Sequence, residues 1–204
     1  LWDVFPDRAR FGGAPANFAC CCAELASGNY DVSLISSVGN DLLGKEAFVE
    51  LQRHAVSTHL IQRNSYPTGR VVVELDRGQP SYTFDANSTW DHVALEEAAQ
   101  AEVASARAVC FGTLFQRHTQ SQATLRSLLK LVAPSSLRVL DVNRRVPYWN
   151  EEVLLSSLSC ANVLKLNDEE LPIVWEVLDW EIACNPLEET EKALKLLQER
   201  FELK

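Results

Sequence analysis

An α/β fold with a mainly parallel sheet and one added β-hairpin is what this sequence predicts, on three observations. Strand-like and helix-like stretches alternate from the first residues, polar groups collect where the strands end, and a strand pair at 69–86 interrupts the alternation.

Leu1 to Phe5 reads as a strand with Asp3 near its C-terminal end, broken by Pro6-Asp7. Next comes Phe11-Gly12-Gly13-Ala14-Pro15-Ala16-Asn17-Phe18-Ala19. Gly12 and Gly13 permit a turn with positive φ and leave the backbone bare for another molecule. Pro15 suits a first helical turn, Phe18, Cys21, Cys22 and Leu25 mark an apolar helix face, and Gly28 is placed to end the helix. Asn17 then sits in the first turn with an amide that both donates and accepts. A polar reader beside bare backbone suits a polyhydroxylated ligand; a turn that needs its glycines only for shape is the alternative.

Val32 to Val38 reads as a buried strand ending at Gly39-Asn40-Asp41, and Asp41 as the cap of a helix with Leu43, Ala47, Phe48 and Leu51 on one face. Residues 69–76 form a β-branched strand, Arg77-Gly78-Gln79-Pro80 a turn, and Ser81-Tyr82-Thr83-Phe84-Asp85 an alternating strand. This hairpin is either a projecting lid or an ordinary antiparallel edge. Helices are expected over 95–104, 118–132, 150–158 and 187–201, with another opening at Asn167, and strands over 108–114, 137–143 and 162–166. Ligands of open α/β sheets bind outside the carboxyl ends of the strands. Asp3, Asp41, Gly112-Thr113, Asp141-Val142-Asn143-Arg144-Arg145 and Lys165-Leu166-Asn167 all fall at such ends. Taken singly, Asp41 reads as a cap, Gly112-Thr113 as a turn and Arg144 as a solvated surface charge; the pattern lies in their joint placement.

The chain has 204 residues, 47% hydrophobic and 23% charged, with a formal net charge of −9. The acidic balance argues against nucleic acid or an anionic membrane as partner, since both reward clustered Lys and Arg. With no spanning apolar run and no signal-peptide pattern, the expected location is the cytoplasm. Cys20, Cys21 and Cys22 are consecutive on a helix and point in three directions, while Cys110, Cys160 and Cys184 stand apart. That spacing suits neither a metal site nor a disulfide framework, and fits small apolar residues in a reduced compartment.

Gly12-Gly13-Ala14-Pro15-Ala16-Asn17-Phe18-Ala19 resembles the first signature of the ribokinase-like (PfkB) carbohydrate kinases, in particular their fructokinase branch. Gly39-Asn40-Asp41 with Gly44 resembles the family's glycine-x-aspartate-x-x-glycine turn. Asp141-Val142-Asn143-Arg144-Arg145 with Trp149 is similar to the pattern of fructokinases and ketodeoxygluconate kinases, and Asn167 to Glu170 to an asparagine-x-x-glutamate motif. The resemblance covers essentially the whole chain, as the N-terminal and central portion of such a kinase. It implies a three-layer α/β/α sandwich, with 1–204 an incomplete kinase domain and 69–86 its lid hairpin. The implied activity is ATP-dependent phosphorylation of a sugar hydroxyl, fructose to fructose 6-phosphate first, with 2-keto-3-deoxygluconate, ribose or a nucleoside as alternatives.

By the same resemblance, Asp3 and Asn17 bond sugar hydroxyls, Gly12 and Gly13 lie against the ring, and Tyr82 or Phe84 gives it an aromatic wall. Asn143 joins the sugar contacts, and Arg145 meets the sugar or the transferred phosphate. Asn167 and Glu170 help position Mg2+ and the triphosphate of ATP, with Glu170 acting on the metal through water and Lys165 nearby. The family also leaves room for a homodimer through the lid. One departure stands out. The family's glycine-alanine-glycine-aspartate motif, which carries the general base, has no counterpart here, because Gly112 is the last glycine. With no Met and an opening on Leu1-Trp2-Asp3, the expectation is a chain cut at both ends, with the base and the nucleotide-binding part beyond Lys204. A non-catalytic sugar-binding or dimerising remnant is the competing reading.

Overall fold

The computed structural model describes residues 1–76, 79–180 and 185–204, and side chains outside 74–81. The expected turn residues Arg77-Gly78, and Cys184, lie outside the described residues. The chain divides into two compact units, Leu1–Ala99 with His118–Thr124, and Gln100–Arg117 with Leu125–Lys204. Among the described residues no helix is long and apolar enough to cross a membrane.

The first unit opens with β1 (Trp2–Val4), β2 (Ala9–Phe11) and α1 (Ala14–Ala26), then β3 (Ser36–Gly39), α2 (Leu42–Arg53), β4 (Ile61–Asn64), β5 (Arg70–Asp76) and β6 (Gln79–Phe84). The hairpin β5–β6 does not stand alone. β5 pairs in parallel with β1, which pairs antiparallel with β2, giving the order β2-β1-β5-β6. Four strands make a sheet where two would be marginal, and Asp3 belongs to the same sheet as the hairpin. β3 and β4 form a separate parallel pair. The sequence reading had no β2 or β4: Ala-Arg-Phe and Ile-Gln-Arg-Asn carry no alternation, and only pairing to a neighbour makes them strands.

Helix α1 corrects the sequence reading. Its buried face is Ala16, Ala19 and Ala23, whereas Phe18 is 46% and Leu25 85% exposed. The helix carries two apolar stripes, and the slimmer one faces inward because it fits against Ala47, Leu51, Val38, Val56 and Ile61 of the same core. The left-handed stop falls on Ser27, with φ 48°, and Gly28 follows at φ 82°. Burial raises the Cys20 and Cys22 thiols above their ordinary value, the direction that disfavours the thiolate.

The remaining elements are α3 (Glu97–Ser105), β7 (Ala108–Gly112), α4 (Thr119–Leu129), β8 (Leu137–Asp141), α5 (Glu151–Cys160), β9 (Val163–Lys165), α6 (Glu170–Leu178) and α7 (Thr190–Arg200). In the second unit β7, β8 and β9 form a parallel sheet. Leu140, Leu154 and Leu158 are fully buried in this unit. At the entry edge of the sheet the buried Asn162 accepts from Arg138 N at 2.7 Å and donates to the Ser136 carbonyl at 2.9 Å, tying neighbouring strand starts together. The α/β class with mainly parallel pairing therefore stands as read.

Candidate functional site

Two polar side chains flank the bare backbone of Gly12. A Cβ placed on Gly12 would lie 3.2 Å from Asp3 Oδ2 and 3.9 Å from Asn17 Oδ1. The local chain explains the meeting. Asp3 stands mid-strand on β1, Gly12 N donates to the Leu1 carbonyl at 3.1 Å, and Gly13, with φ 97°, turns the chain into α1. Asn17 N then donates to the Gly13 carbonyl at 2.9 Å, fixing the amide in the first turn. Gly12 is buried, Asp3 half-buried and Asn17 exposed, so the polar atoms look outward over a surface with no side chain of its own.

Register places more residues on this face. Asp3 pairs with Arg10 on one side and Val71 on the other, and Val71 pairs with Phe84. Paired residues share a face of a sheet, as do residues two apart along a strand, so Arg10, Asp3, Phe84 and Tyr82 all project to the same side. Tyr82 is 57% exposed and Phe84 8%. On this face Tyr82 is therefore open and Phe84 covered. Arg10 escaped the sequence reading because β2 did; a cross-strand partner has no signature along the chain.

Gly39-Asn40-Asp41 with Gly44 proves to be a knot. Asp41 Oδ1 accepts from Gly44 N at 2.8 Å and from the Thr68 hydroxyl at 2.6 Å, while Oδ2 accepts from Thr68 N at 2.8 Å. Burial pushes the Asp41 carboxyl up, but the Thr68 and Gly44 hydrogen bonds outweigh it and hold the group below its ordinary value. A side chain on Gly44 would strike the Gly39 carbonyl, and one on Gly39 would come within 2.8 Å of Asp41 Oδ2. The cap reading of Asp41 was right and incomplete, since Thr68 lies 27 residues away.

In the second unit the parallel strands bring the expected polar ends into one row, Gly112 beside Asp141 and Asp141 beside Lys165. Thr113 is buried and donates its hydroxyl to the Val142 carbonyl at 2.8 Å, which makes it a structural tie. Lys165 Nζ lies 2.9 Å from Asp141 Oδ1. Beyond β8, Asn143 takes a left-handed φ of 36°, a conformation its short amide tolerates better than most residues.

Glu170 is the centre of this second group. Only 5% exposed, it accepts from Arg144 N through Oε1 at 2.8 Å and from Asn167 N through Oε2 at 3.0 Å. Asn167 Oδ1 accepts from Glu170 N at 2.8 Å. The Asn167–Glu170 exchange is a capping box, and the bond to Arg144 clamps the segment after β8 to the start of α6. Glu170→Gln is expected to cost about 2 kcal/mol, because the amide turns a donor toward one of the two backbone N–H groups; urea unfolding measures it.

Among the described residues no cluster of three or more His, Cys, Asp or Glu side chains gathers as a direct metal cage. The donors present still fit Mg2+, which favours oxygen and keeps several of its waters. Each Glu170 oxygen has used one lone pair on a backbone N–H and retains another for a metal-bound water. Arg144 departs from its reading as a solvated charge. It is half-buried, its guanidinium carbon lies 5.0 Å from the centre of the Trp149 ring, and Nε is buried without a hydrogen bond among the described residues. Arg145 is exposed and donates to the Arg144 carbonyl at 3.2 Å.

Several known proteins have similar chains. An uncharacterized sugar kinase of Pyrococcus horikoshii, PH1459, is 31% identical over 178 residues, covering 84% of this chain and 56% of the relative. Its crystal structure in complex with ATP superposes with a TM-score of 0.78 at 28% identity, covering 86% of this chain and 63% of that one. An ATP-dependent 6-phosphofructokinase of Thermoanaerobacterium thermosaccharolyticum is 27% identical over 169 residues, 80% of this chain and 51% of the relative. A fructokinase of Xylella fastidiosa gives a TM-score of 0.79 over 100% of this chain and 64% of that one, at 20% identity, a likeness of fold alone. The chain thus spans about half the length of the curated relatives it matches. Residues 7–203 match the sequence model of the pfkB family carbohydrate kinases, and the chain belongs to that family.

Proposed function

We propose that this protein takes part in ATP-dependent transfer of a phosphoryl group to a hydroxyl of a small sugar. The observation that carries the reading is the pair of polar side chains on either side of Gly12, Asp3 Oδ2 and Asn17 Oδ1, over backbone with no Cβ. Asp3 accepts from sugar hydroxyls, Asn17 both donates and accepts, and Tyr82 covers the apolar face of the ring. Groups built to pair with hydroxyls discriminate strongly against analogues lacking them, because they are otherwise stranded. The crystallisation of PH1459 with ATP supports ATP as donor.

Asn143 and Arg145 contribute to holding the sugar or the phosphate in transit, and Lys165 and Asn167 act on the nucleotide phosphates. Glu170 would hold Mg2+ through a water. When bound, Mg2+ would supply positive charge beside the phosphates, and these side chains orient the reactants, since phosphoryl transfer depends on positioning and electrostatics. Fructose, and keto-sugars of its size that bear an acid group, are the acceptors this reading favours.

Calorimetric titration of the 204-residue chain with fructose and with 2-keto-3-deoxygluconate tests the reading. Binding of at least one is expected, and no heat with either would remove the sugar site. No residue of 1–204 is assigned the removal of the hydroxyl proton, so the same chain is expected to show no phosphorylation of fructose by ATP and Mg2+. Robust turnover would place the base within these residues.

A further inference from the structure

We infer that Arg10 is a specificity-determining residue of the Gly12 face, and that it selects sugars carrying an anionic group, a carboxylate or a phosphate. The inference rests on the sugar-kinase reading above and narrows its substrate class, using residues of the first unit alone.

Among the described arginines of the first unit, Arg10 differs from the rest in having nothing to hold. Arg8 lies 3.6 Å from Asp7 and covers the Phe5 ring. Arg53 Nη1 is 2.6 Å from Glu50 Oε1, Arg63 covers the Phe48 ring, and Arg70 Nε donates to Asp85 Oδ2 at 2.8 Å. Arg10 is exposed, and among the described residues its guanidinium makes no hydrogen bond, ion pair or ring contact. In a chain of net charge −9 carboxylates are plentiful, and one of them, Asp3, stands directly opposite Arg10 on β1. Cross-strand neighbours have Cβ atoms ~5 Å apart, close enough for opposite charges to pair. These two do not pair. Asp3 keeps its carboxylate beside Gly12, and the Arg10 donors remain open on the same face.

Position makes this open charge a reader of the ligand. Arg10 stands two residues before Gly12 and across from Asp3, so all three share one face. Neighbouring strands lie ~4.8 Å apart, so a six-carbon sugar whose hydroxyls meet Asp3 reaches Arg10 with one end. A carboxylate or phosphate at that end takes two parallel hydrogen bonds from the planar guanidinium. The same group placed over Asp3 would be repelled, so charge fixes which end of the sugar lies over β2. A neutral ketose satisfies Asp3 and leaves Arg10 in water. In 2-keto-3-deoxygluconate and fructose 6-phosphate alike, the acid lies at the opposite end of the carbon chain from a free primary hydroxyl. With the acid on Arg10, that hydroxyl points away from β2.

Calorimetry on the 204-residue chain, comparing fructose, 2-keto-3-deoxygluconate and fructose 6-phosphate, tests this. At least one acidic sugar is expected to bind about tenfold tighter than fructose; which of the two does so tells carboxylate from phosphate. In Arg10→Gln that preference is lost, whereas Arg8→Gln, which removes the same charge two residues away, keeps it. Arg10→Lys retains part of the preference, and thermal melts confirm that all three variants remain folded. Raising the salt weakens acidic-sugar binding to the wild type more than to Arg10→Gln. Equal affinity for fructose and both acidic sugars overturns the role of Arg10 and leaves the sugar-kinase reading standing. So does an acid preference that survives Arg10→Gln, or one that Arg8→Gln abolishes equally. Failure of all three sugars to bind overturns both.

Discussion

Asp41→Ala is expected to lower the stability of the chain by about 3 kcal/mol. The side chain accepts three hydrogen bonds as an anion, from Gly44 N, Thr68 N and the Thr68 hydroxyl. Its loss strands two backbone N–H groups and unfastens the segment before β5 from the start of α2. For a chain of this size the melting temperature falls by roughly 6–12 °C. The pH dependence has a definite sign. Because the folded carboxyl sits below its ordinary value, its stabilisation is fully present above the unfolded carboxylate range near pH ~4. It is lost as the pH falls through the lower folded value. The gap between wild type and variant should therefore be full at neutral pH and close on acidification. A gap that widens in acid would contradict the charged-acceptor account; thermal melts across pH decide it.

Asp3→Ala is expected to weaken sugar binding by about 100-fold with the fold intact. A charged acceptor that takes hydroxyl hydrogen bonds contributes ~1.5–3 kcal/mol, and 100-fold corresponds to about 2.7 kcal/mol. Gly12→Ala provides the companion test. It adds a methyl group 3.2 Å from Asp3 Oδ2, obstructing the bare backbone without removing any hydrogen-bonding group. Both variants should bind sugar poorly and melt near the wild type. An unchanged Kd in Asp3→Ala, measured by calorimetry with the sugar the wild type binds best, would take Asp3 out of the site.

The two glycine motifs were legible in the sequence for different reasons. Gly12-Gly13 announces itself because a bare turn before a helix with an early Asn has few uses, and Asp3 and Asn17 do meet there. Gly39 and Gly44 announce a turn and a cap, but Thr68, the partner that makes Asp41 a knot, is remote in sequence. Periodicity found α1 and mistook its inner face, because Phe18 and Leu25 are larger apolar residues than Ala16, Ala19 and Ala23. Which stripe faces inward depends on the space left by the neighbours. Arg144 shows the same limit, since nothing along the chain separates a solvated arginine from one stacked on Trp149 with Nε buried.

What the order of residues determined by itself is the succession of strands and helices, the helix starts at Gly13, Asp41 and Asn150, and the polar residues that follow β3, β7, β8 and β9, whereas Asp3, read as a strand end, lies within β1. These are local or periodic properties, written in neighbouring side chains. Tertiary structure alone decided that the hairpin shares a sheet with Asp3, that Tyr82 is open where Phe84 is covered, and that Glu170 spends both oxygens on backbone. Each of these depends on pairing or burial between segments distant in sequence.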